Sequence, residues 1–333
     1  MATNSDGDVT ASIRDLTHDG RGVADLDGRR VFVVGALPGE QVLIRPRRRR
    51  RRWADAELVN VIVPSAQRVE AGCEYFGRCG GCAVQHMDYR AQIRFKQDVV
   101  AEAFERIAGL APEQWLEPVA GPQWNYRRRA RLGVKYVTGK QRVLVGFRER
   151  AAPYVTDMTS CPVLARPMDR ALGELAAVIA DSSLRSQLPQ IEVAMGDERG
   201  ALVLRVLAAP TPADEALFQA FGEGHGLDIY LQTGGPGTIE ALGGAKPALT
   251  YKLEEFGLTF EFAPTDFVQI NAAINARIVS EVLAFARAGS CGGAARAAAG
   301  PATGVTIAHQ SGTLAYRRTH HGHAREPIPN PRC

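Results

Sequence analysis

The sequence predicts a multidomain fold: a small N-terminal β-barrel of the OB type, then a central α+β domain built around a glycine-rich cysteine loop. Three observations predict it. The chain has 333 residues, enough for two or three domains. Several short runs rich in Val, Ile and Leu crowd residues 10–64, a density that suits a small closed barrel. Six cysteines stand in a chain whose first residues show no secretory signal, so they ask for a metal or catalytic reading before a disulfide one.

Composition excludes several classes. Apolar residues make up 45% and charged residues 23%, so global disorder is ruled out. No run of eighteen apolar residues offers a membrane span, and a cytosolic protein is expected. The net charge of +4 is modest but unevenly spread, since Arg47, Arg48, Arg49, Arg50, Arg51 and Arg52 follow one another directly.

The barrel strands are expected at residues 11–16, 30–34, 41–45 and 56–63, with Gly20-Arg21-Gly22, Asp27-Gly28 and Pro38-Gly39 as turns between them. The arginine run falls in the loop before the last strand, with Trp53 behind it. Such a loop can track phosphates beside a stacking ring, or it can be a solvated loop with no partner. Helical spacing of Ile93, Val99, Val100, Phe104 and Ile107 predicts a helix over residues 89–110. Strands are expected at 130–136, 143–147, 154–158, 190–194, 201–208, 228–232, 249–253 and 256–262, and helices at 166–184, 212–223 and 270–288. Arg127, Arg128, Arg129 and Arg131 lie at a strand start, where alternation sends some side chains outward and some inward.

Cys73-x5-Cys79-x2-Cys82 is compact, and Gly77, Gly80 and Gly81 let its backbone wrap around something small. Cys161 follows far downstream, before Pro162. Four thiolates suit an iron–sulfur cluster or a structural zinc, and the three-plus-one split with Cys-Pro favours the cluster. His86 could replace one ligand, although a histidine at a helix start reads first as a packed or hydrogen-bonded one.

The stretch from Cys73 to His86, Cys-Glu-Tyr-Phe-Gly-Arg-Cys-Gly-Gly-Cys-Ala-Val-Gln-His, resembles the iron–sulfur motif of the bacterial 23S rRNA (uracil-5-)-methyltransferases, of the type that modifies uracil 1939. His18-Asp19-Gly20-Arg21-Gly22-Val23-Ala24 and Leu37-Pro38-Gly39-Glu40 resemble that family's RNA-binding TRAM barrel. Asn125-Tyr126-Arg127-Arg128-Arg129-Ala130-Arg131, Gly146-Phe147-Arg148, Cys161-Pro162-Val163 and Tyr230-Leu231-Gln232 resemble its central domain. Asp266-Phe267-Val268-Gln269-Ile270-Asn271 resembles the segment that opens its Rossmann-like α/β methyltransferase domain. The resemblance covers residues 9–288 or so.

The resemblance implies a TRAM barrel over residues 1–65, a central domain with the iron–sulfur site over 66–262, and the start of the methyltransferase domain over 263–288. The helix near 89–110 would pack on that last domain. It implies a 4Fe-4S cluster on Cys73, Cys79, Cys82 and Cys161, and S-adenosylmethionine contacted by Gln269. It implies 23S rRNA as partner, met by residues 47–53, Arg127 and Arg129, with no obligate protein partner and a monomeric enzyme. In the family a cysteine thiolate adds to carbon-6 of uracil, carbon-5 takes the methyl group, and a carboxylate removes the carbon-5 proton. Neither that cysteine's Ser-Cys-Asn-Pro-like segment nor the cofactor's glycine turn occurs in the 333 residues.

From residue 289 the texture changes: no Asp, Phe, Trp or Lys, one Leu (Leu314) and one Glu (Glu326), with four of the chain's seven histidines. Only 305–308 has a strand pattern. This segment is expected to be a disordered tail or a translated wrong frame, and the chain as written is expected to be inactive as a methylase. The other reading open to the sequence is a non-catalytic iron–sulfur or zinc RNA-binding protein.

Overall fold

A computed structural model describes residues 7–49, 52–289, 305–310 and 313–318. The chain divides into two compact units, Met1–Ala120 with Gly146–Met158, and Gly121–Val145 with Thr159–Cys333.

The first unit begins with six strands: β1 (Val9–Ser12), β2 (Asp15–Leu16), β3 (Arg21–Leu26), β4 (Arg29–Val34), β5 (Gln41–Arg49) and β6 (Trp53–Val63). Their order in the sheet is β1-β5-β6-β4-β3-β2. β1 and β2 thus hold opposite edges, yet only Ile13 and Arg14 separate them in sequence. Ile13 N–H donates to Glu40 O (2.9 Å) and Arg14 N–H to Val23 O (2.9 Å), so the chain itself stitches the seam and the sheet closes. Closure removes unpaired edges. Alternation fills the interior with small side chains: Ala11, Ala24, Val31, Val33, Val42, Ile44, Ala54 and Ala56 are all buried.

β3 was not among the expected strands. Gly20-Arg21-Gly22 reads as a turn, but a Cβ on Gly22 would meet Ala36 O at 2.9 Å. The glycine serves a close backbone approach inside a strand, a use that local propensity does not separate from a turn. The arginine run also differs from expectation. Arg47 to Arg49 extend β5, Arg50 and Arg51 lie outside the described residues, and Arg52 directly precedes β6.

After the barrel comes the cysteine loop, then α1 (Tyr89–Ala103), which continues as one π-helical turn, Phe104–Ala108, and stops at Gly109 in the left-handed region (φ 64°). Asp88 caps α1: its carboxylate accepts from the N–H of Arg90 (3.1 Å) and Ala91 (3.2 Å). Val100, Phe104, Ile107 and Leu110 are exposed.

In the second unit β7 (Arg129–Val137), β8 (Arg142–Gly146, its last residue counted with the first unit), β9 (Gln190–Met195), β10 (Gly200–Arg205), β11 (Leu227–Gln232) and β12 (Ile239–Ala241) form a sheet ordered β12-β11-β10-β9-β7-β8. α2 (Leu172–Asp181) and α3 (Pro212–His225) supply Leu172, Leu175, Ile179, Phe218 and Phe221 to the core. α2 starts six residues later than expected because the preceding residues are used as turns. Asp169 O accepts from Cys161 N–H (2.8 Å), and its carboxylate from the Asn125 amide (3.1 Å). Residues 154–158, expected as a strand, make only an isolated bridge, Val155 to Arg148.

β13 (Leu249–Leu253) and β14 (Leu258–Phe262) form a hairpin. β15 (Val305–Gln310) pairs parallel to β14, and β16 (Thr313–Arg318) pairs antiparallel to β15. Two stretches of the segment expected as a tail are therefore strands, its first residue, Gly289, ends the preceding helix, and the rest lies outside the described residues. α4 (Ala272–Gly289) follows the hairpin. Among the described residues no helix is long and apolar enough to cross a membrane.

Candidate functional site

Three places carry the residues that sequence singled out. The first is the cysteine loop. Its backbone is zipped to the segment 146–150: Gly80 N–H donates to Arg148 O (2.9 Å) and Arg150 N–H to Arg78 O (2.9 Å), while Thr156 N–H to Phe147 O (2.9 Å) folds the segment back on itself. Gly-Phe-Arg at 146–148 thus forms the wall behind the loop. A Cβ on Gly80 would lie 2.8 Å from Arg148 O, so only glycine fits there. Cys79 is buried, Cys73 and Cys82 half-buried. Gly81 N–H points at Cys79 Sγ (3.3 Å), and the N–H groups of Tyr75 and Phe76 serve Cys73. Burial pushes the Cys73 and Cys79 thiols up, more than these N–H groups pull them down.

Cys161 belongs to the second unit. It is buried, with its N–H on Asp169 O and its carbonyl accepting from Leu164 N–H (3.0 Å). Among the described residues no three His, Cys, Asp or Glu side chains are gathered as a ready metal site. The chemistry of the loop nevertheless fits a thiolate-bound group: three soft donors, a glycine cradle, and N–H groups already aimed at sulfur. His86 is buried, and burial lowers its pKa to about 4, so the ring is neutral at pH 7. It lies 5.1 Å from the Phe76 ring, and neither of its nitrogens has a hydrogen-bond partner among the described residues.

The second place is the outer face of the barrel. Phe32 and Trp53 stand 6.1 Å apart and tilted, with the Arg21 guanidinium 4.8 Å from the Phe32 ring centre. Arg30 is opposite Trp53 in the β4–β6 register, and Arg30 and Arg52 are exposed. Arg47 is tied to Glu57, its Nε 2.9 Å from the carboxylate. Phe32 and Arg30 were not singled out in the sequence; the alternation of Arg30, Phe32 and Val34 outward against Val31 and Val33 inward carries that signal.

The third place is residues 263–271 in the second unit. Asp266 turns the chain by accepting from Ala263 N–H (2.8 Å). Asn271 caps α4, its side-chain oxygen accepting from Ile274 N–H (3.1 Å). Between them Phe267 is 83% exposed and Gln269 is exposed. Gln269 lines a shallow pocket with Arg128, Tyr251, Lys252, Ala272 and Asn275. The arginine cluster supports this turn. Arg128 N–H donates to Ile270 O (2.9 Å), and its guanidinium reaches Asp197 (2.6 Å). Arg129 is mostly buried. Its guanidinium donates to Pro264 O and lies 3.9 Å from Glu192. Arg127 Nε donates to Arg129 O (3.0 Å). Arg131 shares the strand face of Arg129 but is left uncovered, 69% exposed beside Glu192.

No protein-family model matches the chain. The curated 23S rRNA (uracil(1939)-C(5))-methyltransferase RlmD of Methylococcus capsulatus is 44% identical over 276 residues, 83% of this chain and 62% of the relative. The protein of the same name from Nitrosococcus oceani is 46% identical over 275 residues, 82% of this chain and 61% of the relative. The chain therefore spans about three fifths of the length of the curated relatives it matches. Among solved structures, the tRNA (uracil-54, C5)-methyltransferase of Pyrococcus abyssi, in complex with S-adenosyl-L-homocysteine, aligns with a TM-score of 0.59 at 21% identity. It covers 83% of this chain and 64% of that one, a likeness of fold alone. Over some four fifths of its length, the chain is similar to curated proteins named 23S rRNA (uracil(1939)-C(5))-methyltransferase RlmD.

Proposed function

We propose that these residues are the RNA-holding and cofactor-contacting part of an enzyme that methylates carbon-5 of a uracil in 23S rRNA, the uracil numbered 1939 in the relatives' names. The observation that carries this reading is the identity of 44–46% with enzymes of that name over some four fifths of the chain. Residues 1–65 act as an RNA-binding barrel of the TRAM kind, 66–262 as the central domain, and 263–288 as the opening of the methyltransferase domain. Methylation needs the target base out of its stack, which costs a few kcal/mol. The Phe32–Trp53 pair offers a stacking face, and Arg30, Arg52 and the rest of the arginine run meet phosphates. Arg127 and Arg129 serve the RNA indirectly, by holding the turn at 263–266 in place.

S-adenosylmethionine supplies the methyl group when bound. Gln269 offers it one carbonyl and one amide group from an exposed position at the start of α4. Cys73, Cys79, Cys82 and Cys161 hold a 4Fe-4S cluster with a structural role, since methyl transfer itself calls for no electron. The enzyme works as a monomer.

No Ser-Cys-Asn-Pro-like segment and no cofactor glycine turn of the family's kind occurs in these 333 residues. The test therefore continues residues 1–288 with the C-terminal part of the Methylococcus capsulatus relative. Labelled methyl should pass from S-adenosylmethionine to unmodified 23S rRNA and appear as 5-methyluridine. The 333-residue chain alone should bind the RNA and transfer nothing. Label in another nucleoside would refute the proposal; binding with no transfer by a folded, cofactor-binding chimera would leave a non-catalytic RNA-binding protein.

A further inference from the structure

We propose that the Thr156 hydroxyl and the Arg150 Nε–H donate hydrogen bonds to sulfur in the loaded cysteine loop, and that these two residues position the cluster and set its reduction potential. This rests on the reading that the loop holds an iron–sulfur cluster.

Two orphaned polar groups on one loop carry the inference. Thr156 is wholly buried, and its Oγ1 has no hydrogen-bond partner among the described residues. The hydroxyl lies beside the Cys79 thiol. Its backbone is fixed by Thr156 N–H to Phe147 O, in the wall behind the loop. Arg150 donates from Nη2 to Cys82 O at 2.6 Å, which anchors its guanidinium to the loop, while its Nε is buried with no partner. A buried unsatisfied donor costs about 1–3 kcal/mol, and folded proteins leave few of them. Cys79 Sγ is the acceptor beside the Thr156 hydroxyl, whereas the buried Arg150 Nε has none among the described residues and needs one that a loaded loop would add. Thiolate and sulfide sulfurs of a cluster are acceptors of that kind, and Gly81 N–H on Cys79 Sγ already shows the pattern. Donors aimed at sulfur stabilise the more negative, reduced cluster and so raise its potential.

The experiment uses the whole 333-residue chain, purified without oxygen. The wild type is examined first. A colourless wild type, with zinc or with no metal, overturns the cluster reading and this proposal with it. With a brown wild type, potentials are measured for Thr156→Val, which keeps the shape and removes the hydroxyl, for Thr156→Ser, which restores it, and for Arg150→Lys, which keeps the charge and removes Nε. The expected result is a more negative midpoint potential and several-fold faster bleaching in air for Thr156→Val and Arg150→Lys, with Thr156→Ser near the wild type. Equal potentials and bleaching rates in wild type and Thr156→Val would overturn the proposal, as would a Thr156→Ser variant that behaves like Thr156→Val. Far-ultraviolet circular dichroism separates these outcomes from simple unfolding.

Discussion

Glu40 is wholly buried at the junction between the barrel and the segment that leads to the cysteine loop. Its carboxylate accepts from Leu37 N–H (2.8 Å), Ser65 N–H (3.2 Å) and Arg68, whose Nη2 sits 2.9 Å away and also donates to Gly35 O (2.6 Å). Replacing Arg68 with Met keeps the aliphatic stem and removes the cation. Two charged hydrogen bonds to Glu40 are lost, each worth about 1.5–3 kcal/mol, giving about 3–6 kcal/mol. Removing one partner of a buried pair costs about 3–5 kcal/mol on other grounds, so about 4 kcal/mol is expected at pH 7. Burial alone would raise the Glu40 pKa; Arg68 and the two backbone N–H groups outweigh it and hold the carboxyl below its ordinary range. The contribution is therefore present above the unfolded-state pKa and lost as pH falls through the lower folded one. In the variant the stranded carboxylate is relieved by protonation, so the deficit narrows as pH drops from 7 toward 4. Hydrogen exchange of the β4 and β6 amides in urea reads this unit by itself. A deficit below about 1 kcal/mol, or one that does not change with pH, would refute the reasoning.

Further outcomes follow from other sites. Asp214 accepts from Ser183 and Thr211, and although burial opposes it, these bonds hold its pKa at about 2 against an ordinary 3.8. It should contribute about 2 kcal/mol above pH 4, lost as pH falls through about 2; an Asp214→Asn melting curve parallel to wild type across pH 2–5 would contradict this. Gly80→Ala should abolish metal loading while leaving the barrel's exchange protection intact, because the new methyl meets Arg148 O; normal loading would show that the loop yields. Arg129→Met should loosen residues 263–271, seen as faster exchange at Asp266–Ile270, and weaken S-adenosylmethionine binding in the chimera severalfold; unchanged exchange would remove Arg129 as the support of that turn. Trp53→Ala should weaken RNA binding by about 1–3 kcal/mol without altering its salt dependence, which arginine substitutions should reduce instead. A salt slope that falls with Trp53 would argue against stacking.

Much of the fold was legible because its signals are local. The strand composition at residues 30–34 and 249–253 and the helical spacing from Ile93 to Ile107 need no tertiary context, and β13 runs over the expected residues. What escaped depends on contacts distant in sequence. Gly22 reads as a turn until Ala36 O is placed against it. Residues 154–158 have strand composition but only a bridge to pair with. Arg129 reads as an RNA-facing charge until Pro264 and Glu192, 135 and 63 positions away, close around it. The cysteine spacing pointed to a soft-metal site. The buried donors behind it are ordinary residues, visible only once 146–156 folds against the loop.

The central claim is that residues 1–288 supply RNA binding and a cofactor contact for uracil-C5 methylation. The most direct measurement is labelled methyl transfer to unmodified 23S rRNA by the chimera, with and without Gln269→Ala. The account predicts 5-methyluridine from the chimera, and for Gln269→Ala a raised KM for S-adenosylmethionine with RNA affinity unchanged. Incorporation into any base other than uracil, or a Gln269→Ala variant kinetically identical to its parent, would contradict it.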